Sequence, residues 1–483
     1  MSFNSFVFLP FILVILSLYY IMPHRKQNLL LLVGGYVFYG AWDFRILFLI
    51  IISTLVDYWA ALSMERITSI ARKRFYLAIS LIVNLGILGF FKYADFFISG
   101  ASDFLALFSL KVSLPVLNII LPAAISFYTF KTLSYTIDVY RGQIPPTHNI
   151  VDYALYVSFF PQLTAGPIER ASALIPQIST PRSFSKDKFI EGLWLILWGF
   201  FKKLVISDNL GLMVNIVFEP GRNVTGVEIL LGVYAFAFQV YCDFSGYTDI
   251  ARGIGKLLGF ETVLNFNLPY ISRNPVEFWN RWHISLSTWL RDYIFLPVVY
   301  ASMRRIKKPL GRLKVENQAY IVGTIITMLL GGLWHGAKWT FVAWGGFHGL
   351  LLAGHHVMTR KKKRKKKAKK IKIPGFIKIV VFFHITCIGW LFFRADNMAQ
   401  AWEFLRRLFL NFSLPANIAE TIFPLVFYLP MLLIFEAWLQ NCDDPRQRPG
   451  WKVILGPLAV SLILLGIVLF SVPGGQGFIY AQF

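Results

Sequence analysis

Apolar runs recur along this chain at about 5–22, 28–42, 45–63, 75–93, 115–137, 151–165, 188–206, 226–244, 278–300, 318–334, 339–357, 373–393, 421–439 and 452–471, and nothing in the sequence constrains the fold more. A helix of roughly 20 apolar residues crosses the hydrocarbon core of a bilayer, where every backbone N–H and C=O must be satisfied within the protein. Membrane β-strands are too short to account for these runs, so the architecture is all-α. Several runs fall short of a full crossing. The expectation is a polytopic helical membrane protein with about 11–13 true spans and some re-entrant or tilted segments. A mean hydropathy of +0.58, with 56% hydrophobic residues over 483, excludes a soluble protein of this size. The whole of 1–483 reads as one integral-membrane domain carrying a basic loop at 359–373.

The net charge of +23 falls in short clusters between the apolar runs: Arg25-Lys26, Arg72-Lys73-Arg74, Lys202-Lys203, Arg304 to Lys314, and Arg360 to Lys372. That pattern orients a protein in a membrane and argues for lipid, not nucleic acid, as the partner. Eleven of the thirteen residues from Arg360 to Lys372 are basic, which suits a cytoplasmic loop near anionic headgroups, although a nucleic-acid tail or a trap for CoA phosphates shares the same chemistry. The first run has no basic residue before it and His24, Arg25 and Lys26 after it, so it reads as a retained span with its N-terminus outside. Cys242, Cys387 and Cys442 are too scattered for a disulfide framework or a zinc motif, and no metal is expected.

Between two apolar runs lies Leu329-Leu330-Gly331-Gly332-Leu333-Trp334-His335-Gly336-Ala337-Lys338-Trp339. An ionisable side chain is costly there and needs a reason. The glycines allow close approach of backbone or substrate, the tryptophans can wall a pocket, and the glycines also offer a place to break the helix. If the basic stretches at Arg304 to Lys314 and from Arg360 are both cytoplasmic, the segment between them goes out and returns. The 21 residues from Lys314 to His335 cover about 30 Å as helix, which puts His335 in the outer half of the membrane.

A second constellation runs from Asn274 to Tyr293. Pro275 and Glu277 mark a helix start. On one continuous helix Trp279, Trp282, His283, Leu286 and Leu290 share a face, while Arg281, Ser285, Thr288 and Asp292 share another. An interfacial amphipathic helix explains this as well as a second site histidine does. Asp138, Asp243, Asp249 and Glu277 are further polar residues in apolar context, and the stretch Tyr241 to Gly253 reads as polar glue between helices. His24, His148, His355 and His356 are expected to face water, and His348 and His384 to pack. Walker A and dinucleotide fingerprints are absent.

Taken together, Phe160-Pro161-Gln162-Leu163-Thr164-Ala165-Gly166-Pro167-Ile168-Glu169-Arg170, Phe278-Trp279-Asn280-Arg281-Trp282-His283-Ile284-Ser285-Leu286-Ser287, Gly332-Leu333-Trp334-His335-Gly336 and Phe393-Arg394-Ala395 resemble the membrane-bound O-acyltransferase superfamily, within it the bacterial alginate O-acetyltransferase membrane-subunit group. The resemblance covers nearly the whole chain. It places the family's signature histidine on His335 and its second, helix-borne histidine on His283. It implies transfer of an acetyl group from a cytoplasmic thioester such as acetyl-CoA, with no bound cofactor, to O-acetylate an exported exopolysaccharide. It also implies a bacterial cytoplasmic (inner) membrane location, and the lack of any large soluble domain points to a separate extracytoplasmic acetyltransferase as partner. Related members D-alanylate teichoic acid but tend to carry a Ser-Gly-Pro-Ile-Asp type stretch where this chain has Ala165 to Glu169. The usual Gly-Gly-Asn turn after the His283 helix is replaced here by Pro297 to Met303.

No nucleophile elbow or reactive-cysteine setting is evident, which leaves histidine as the base. Neutral His335 takes the acceptor's hydroxyl proton as that oxygen attacks the thioester; an acyl-histidine is the variant. His283, Trp282, Arg281 and Trp334 are expected to bind or guide substrate. Lys202, Lys203, Arg304 and Arg305 are candidates for drawing CoA phosphates to the cytoplasmic mouth. A lipid or protein acceptor shares this chemistry, and a proton-coupled transporter or flippase using His335, His283 and Asp243 is the rival from another class.

Overall fold

The computed structural model describes the chain except residues 111–114, 116, 120, 123, 165, 310, 312, 365–372, 440–455, 473–474, 476 and 480–483, and gives backbone alone at 103 and 361–364. Cys442, Ala165 and most of the basic run lie outside the described residues. The described residues form helices and connecting loops, without a β-strand. Among the described residues, five helices are long and apolar enough to cross a membrane: Phe44–Glu65, Ile70–Leu107, Gly226–Leu257, Gly375–Arg394 and Ile418–Leu439. Phe8–Tyr19 and Gly456–Phe470 are shorter apolar helices. Other helices long enough to cross carry polar ends. Val315–His335 opens on Glu316, Asn317 and Gln318, and Trp339–Arg364 closes on five consecutive basic residues from Arg360.

The chain divides into two compact units, one of Met1–Ile196 with Tyr247–Val263 and one of Leu197–Gly246 with Leu264–Phe483. In the first unit, buried polar side chains tie helices together. Asn84 Nδ2 donates to both carboxylate oxygens of Asp57 (3.0 and 2.9 Å), and its Oδ1 accepts from Ser53 and Thr132. In a membrane such bonds hold helices where apolar burial alone cannot. Glycines do the same by removing bulk: a Cβ on Gly192 would lie 2.7 Å from the Gly253 carbonyl oxygen, and one on Gly253 2.6 Å from that of Gly192. The stretch from Phe160 belongs to this unit, as a buried short helix Phe160–Leu163 followed by Gly166 packed on the Gln162 backbone.

The second unit holds both histidine segments. Val315–His335 and Trp339–Arg364 form a hairpin whose arms meet at glycines. A Cβ on Gly332 would lie 2.2 Å from the Phe341 carbonyl oxygen, and one on Gly345 2.2 Å from that of Met328. The glycines therefore serve backbone contact. Gly331 and Gly332 do not break the helix, which runs unbroken to His335 and ends at an extended Gly336.

The continuous helix expected from Pro275 onward is not formed. The segment folds as Pro275–Trp279, a turn, Ile284–Leu290, a π-helical stretch Arg291–Phe295 and Leu296–Arg305. The cause is the chain at Asn265–Asn267. The Arg281 carbonyl, which a helix would give to Ser285 N–H, accepts from Asn267 N–H (2.9 Å). Ser285 N–H turns instead to Asn265 Oδ1 (3.1 Å), and Ile284 N–H to the Asn265 carbonyl (2.9 Å). His283 takes a left-handed backbone, φ 43°, at this break. It is a turn residue rather than one of a helical face.

Lys202 and Lys203 are likewise not at an aqueous mouth. Lys203 Nζ sits between Asp208 (2.8 Å) and Asp243 (2.6 Å), all three side chains buried, and Lys202 Nζ donates to Ser245 Oγ (2.9 Å). Gly246 makes this possible, because a Cβ there would press on the Gly199 carbonyl oxygen at 2.8 Å. Arg304 and Arg305 remain exposed. Of the histidines expected in water, His24 pairs with the Ile178 carbonyl (2.8 Å) and His356 stacks on Tyr320 at 3.6 Å, since each lies where a neighbouring helix covers it.

A candidate active site around two histidines

His335 is 3% exposed at the end of its helix, with its ring edge-on to three aromatic rings: Trp334 at 5.0 Å, Trp344 at 4.9 Å and Phe393 at 5.2 Å. Trp344 comes from the second arm of the hairpin and Phe393 from the end of Gly375–Arg394. The close glycine contact brings the second arm near enough to reach the histidine, and Gly336, where a Cβ would meet the Phe341 ring at 2.3 Å, lets the turn fold tightly over it. Trp390 continues the wall, 6.1 Å from Trp344 and 5.6 Å from Phe393.

His283 is fully buried, and polar contacts set its orientation. Its Nδ1 lies 3.1 Å from Asn265 Oδ1, the same oxygen that accepts the Ser285 N–H (3.1 Å) and the Ser285 hydroxyl (2.9 Å). An atom that takes a backbone N–H is the carbonyl oxygen of the amide, so Nδ1–H of His283 is the donor to it. That fixes the tautomer: in the neutral ring Nε2 is left as the basic nitrogen. Phe244 packs edge-on to the ring at 4.7 Å.

The two histidines meet at Trp334, whose ring is 5.0 Å from His335 and 5.9 Å from His283. Trp282 is buried one residue before His283, stacked on Phe278 (5.7 Å) and against Trp390 (4.8 Å), and so joins the same aromatic body. Arg281 does not: its guanidinium is committed to the Asn267 carbonyl (3.1 Å) and Glu277 (3.3 Å). Thus four of the five expected site residues, His335, His283, Trp334 and Trp282, lie in one cluster, and Arg281 supports the turn beside it.

Three further groups of the site escape a sequence reading. Asn265 stands in an ordinary polar-apolar alternation with no motif around it. Phe393 and Trp390 come from a helix remote in sequence, although Phe393 does begin the fourth stretch of the resemblance. His348 is fully buried in the same cluster, with Trp344 at 5.0 Å. Its only sequence signal was its position in an apolar run, the same signal that singled out His335.

This is a buried, aromatic enclosure whose polar groups are imidazoles and indole N–H groups. The indole N–H groups of Trp279, Trp282, Trp344 and Trp390 are buried and meet no acceptor among the described residues. Leaving a buried donor unsatisfied costs about 1–3 kcal/mol each, so this body is built for something other than stability alone. It offers imidazole bases and N–H donors buried away from solvent, which suits a transfer between two carriers in which hydrolysis must be avoided.

Comparison with known proteins gives a consistent picture. Residues 41–395 match MBOAT, the membrane-bound O-acyltransferase family. A protein of Pseudomonas aeruginosa named probable alginate O-acetylase is 40% identical over 410 residues, 84% of this chain and 74% of that protein. Its namesake in Azotobacter vinelandii is 41% identical over 411 residues, 84% of this chain and 77% of that protein. A peptidoglycan O-acetyltransferase of Helicobacter pylori is 33% identical over 518 residues, covering 96% of this chain and 94% of its own length.

Proposed function

The chain belongs to the membrane-bound O-acyltransferase family and is a multi-pass membrane O-acyltransferase, and from that premise we propose that it carries acetyl groups from a cytoplasmic thioester such as acetyl-CoA across the membrane to O-acetylate an exported polysaccharide. Its relatives are named for acetylating alginate and peptidoglycan, both glycans beyond the cytoplasm. The higher identity to the alginate proteins favours an alginate-like exopolysaccharide.

The observation that carries this reading is the meeting of His335 and His283, both buried, on one tryptophan ring. Neutral His335 accepts the proton of the attacking hydroxyl, the oxygen–carbon bond forms, the carbon–sulfur bond breaks, and the departing thiolate recovers the proton from the imidazolium. His283, with Nε2 as its basic nitrogen, orients a polar group of the donor or acceptor. The acetyl group crosses while the charged carrier stays on its own side. The whole chain acts as one integral-membrane domain in a bacterial cytoplasmic membrane, handing acetyl groups to a separate extracytoplasmic acetyltransferase.

Membrane vesicles supplied with a labelled acetyl donor test this. At matched protein levels His335→Ala is expected to lose transfer to glycan entirely, and His283→Ala to fall at least tenfold. Normal glycan acetylation by His335→Ala would overturn the assignment.

A further inference from the structure

We propose that His348 hydrogen-bonds the amide nearest the sulfur of the acyl donor, so that it positions the thioester carbonyl at His335; this rests on the transfer reading above and adds a donor-binding residue to it. His348 is completely buried, and neither of its ring nitrogens meets a hydrogen-bond partner among the described residues. Its ring is stacked on Phe278 (5.8 Å, 8° between planes) and edge-on to Trp279 (5.3 Å) and Trp344 (5.0 Å). For packing alone, phenylalanine does this without burying two polar nitrogens. A histidine in that position calls for a polar partner that the described residues do not provide.

The place of His348 identifies that partner. Trp344 and His348 are four residues apart on one face of Trp339–Arg364, about 6 Å along the helix axis. Trp344 touches His335 at 4.9 Å and His348 at 5.0 Å, so its ring links the two imidazoles. His348 is the farther of the two from the turn at Gly336 and the nearer to Arg360, where the basic run begins. Basic runs mark the cytoplasmic side, so a donor entering there passes His348 before its carbonyl reaches His335. In a pantetheine thioester the first amide nitrogen is two methylenes from sulfur, roughly 5 Å from the acyl carbon in an extended chain. Laid along the Trp344 ring from His348, that span carries the acyl carbon toward His335.

The surroundings select for a neutral group. The neighbours of His348 are aromatic, and the unpartnered indole N–H groups of Trp279, Trp344 and Trp390 are donors suited to carbonyl oxygens. An imidazole can give a hydrogen bond at one nitrogen and accept one at the other, as an amide requires. Gly389, on the facing helix, keeps the nitrogen clear: a Cβ there would sit 2.9 Å from His348 Nε2.

The full-length protein in membrane vesicles can be given two labelled acetyl donors, S-acetyl-N-acetylcysteamine, which has the amide, and S-butyl thioacetate, which lacks it, with acetyl-CoA alongside. The wild type is expected to prefer the amide-bearing donor at least tenfold in kcat/KM. His348→Phe should bring the two donors close to parity, chiefly by raising KM for the amide-bearing donor and for acetyl-CoA, with a thermal midpoint in detergent no lower than wild type. His348→Gln should restore part of the preference. Gly389→Ala, which pushes on Nε2, should raise the same KM values and covers the case in which His348→Phe does not fold. Retention of donor preference and of KM for acetyl-CoA by His348→Phe, or by Gly389→Ala where the former is absent from the membrane, refutes the proposal. Activity of His335→Ala with both donors would instead refute the transfer reading.

Discussion

Asn265→Leu is the sharpest test of how the site is built. The side chain is fully buried, and its Oδ1 accepts three hydrogen bonds, from Ser285 N–H (3.1 Å), the Ser285 hydroxyl (2.9 Å) and His283 Nδ1–H (3.1 Å). Leucine keeps the volume and removes the acceptor. The hydroxyl can rotate, and a neutral imidazole can move its proton to Nε2, but the backbone N–H of Ser285 can do neither. The expected loss of stability is therefore that of one orphaned buried donor, about 1–3 kcal/mol, rather than of three. The larger effect is on chemistry. With its proton on Nε2, His283 presents a donor where the wild type presents a base. A loss of about 1.4–2.7 kcal/mol in transition-state stabilisation corresponds to about 10- to 100-fold in acetyl transfer. Asn265→Asp retains an acceptor for both N–H groups, keeps the proton on Nδ1, and should retain far more activity than the leucine variant. Transfer is measured in vesicles at matched protein levels, with thermal stability in detergent as the control. Wild-type turnover in Asn265→Leu would show that the tautomer of His283 is irrelevant and that the residue only packs.

Gly332→Ala should be destabilised by more than about 2 kcal/mol, because its Cβ would lie 2.2 Å from a backbone carbonyl that cannot rotate away, whereas Gly354→Ala, with nothing within 4 Å, should be neutral; thermal midpoints in detergent decide. Lys203→Met leaves Asp208 and Asp243 buried without their cation and should cost about 3–5 kcal/mol, without a selective rise in KM for the acyl donor, and a pure KM effect on a stable protein would restore the phosphate-attracting role. Ala337→Cys, in the turn between the hairpin arms, should react with a membrane-impermeant thiol reagent from the extracytoplasmic side alone, and labelling from the cytoplasmic side alone would reverse the placement of His335.

What the sequence made legible follows from what each signal depends on. The all-helical membrane fold depends on the length of apolar runs, a local property, and it could be read directly. His335 and His283 were legible because an imidazole among tryptophans is costly wherever the chain places it, and four ordered stretches carried the family. The continuous helix from Pro275 misled because helical periodicity assumes each N–H finds the carbonyl four residues back. Here Asn265 and Asn267, distant by that measure, take over those bonds and turn the chain at His283. Lys202 and Lys203 misled for a related reason: a basic pair between apolar runs reads as an aqueous boundary unless its carboxylates are known. Asp208 and Asp243 lie close in space but on different helices, and only Asp243 had drawn attention.

The turn at His283 explains why its two faces differ. On a helix, the histidine's orientation would be shared with its neighbours at positions four apart, and its ring could slide with the helix. Placed at a left-handed break and pinned by one amide, the ring instead has a fixed donor side toward Asn265 and a fixed basic nitrogen on its other side. His335 sits at the end of its helix with three aromatic rings edge-on to it. A residue that only orients substrate is well served by such a fixed hydrogen bond as that of His283. In the proposed mechanism the moving proton belongs to His335 and the static hydrogen bond to His283, and the activities of His335→Ala and Asn265→Leu separate these two roles.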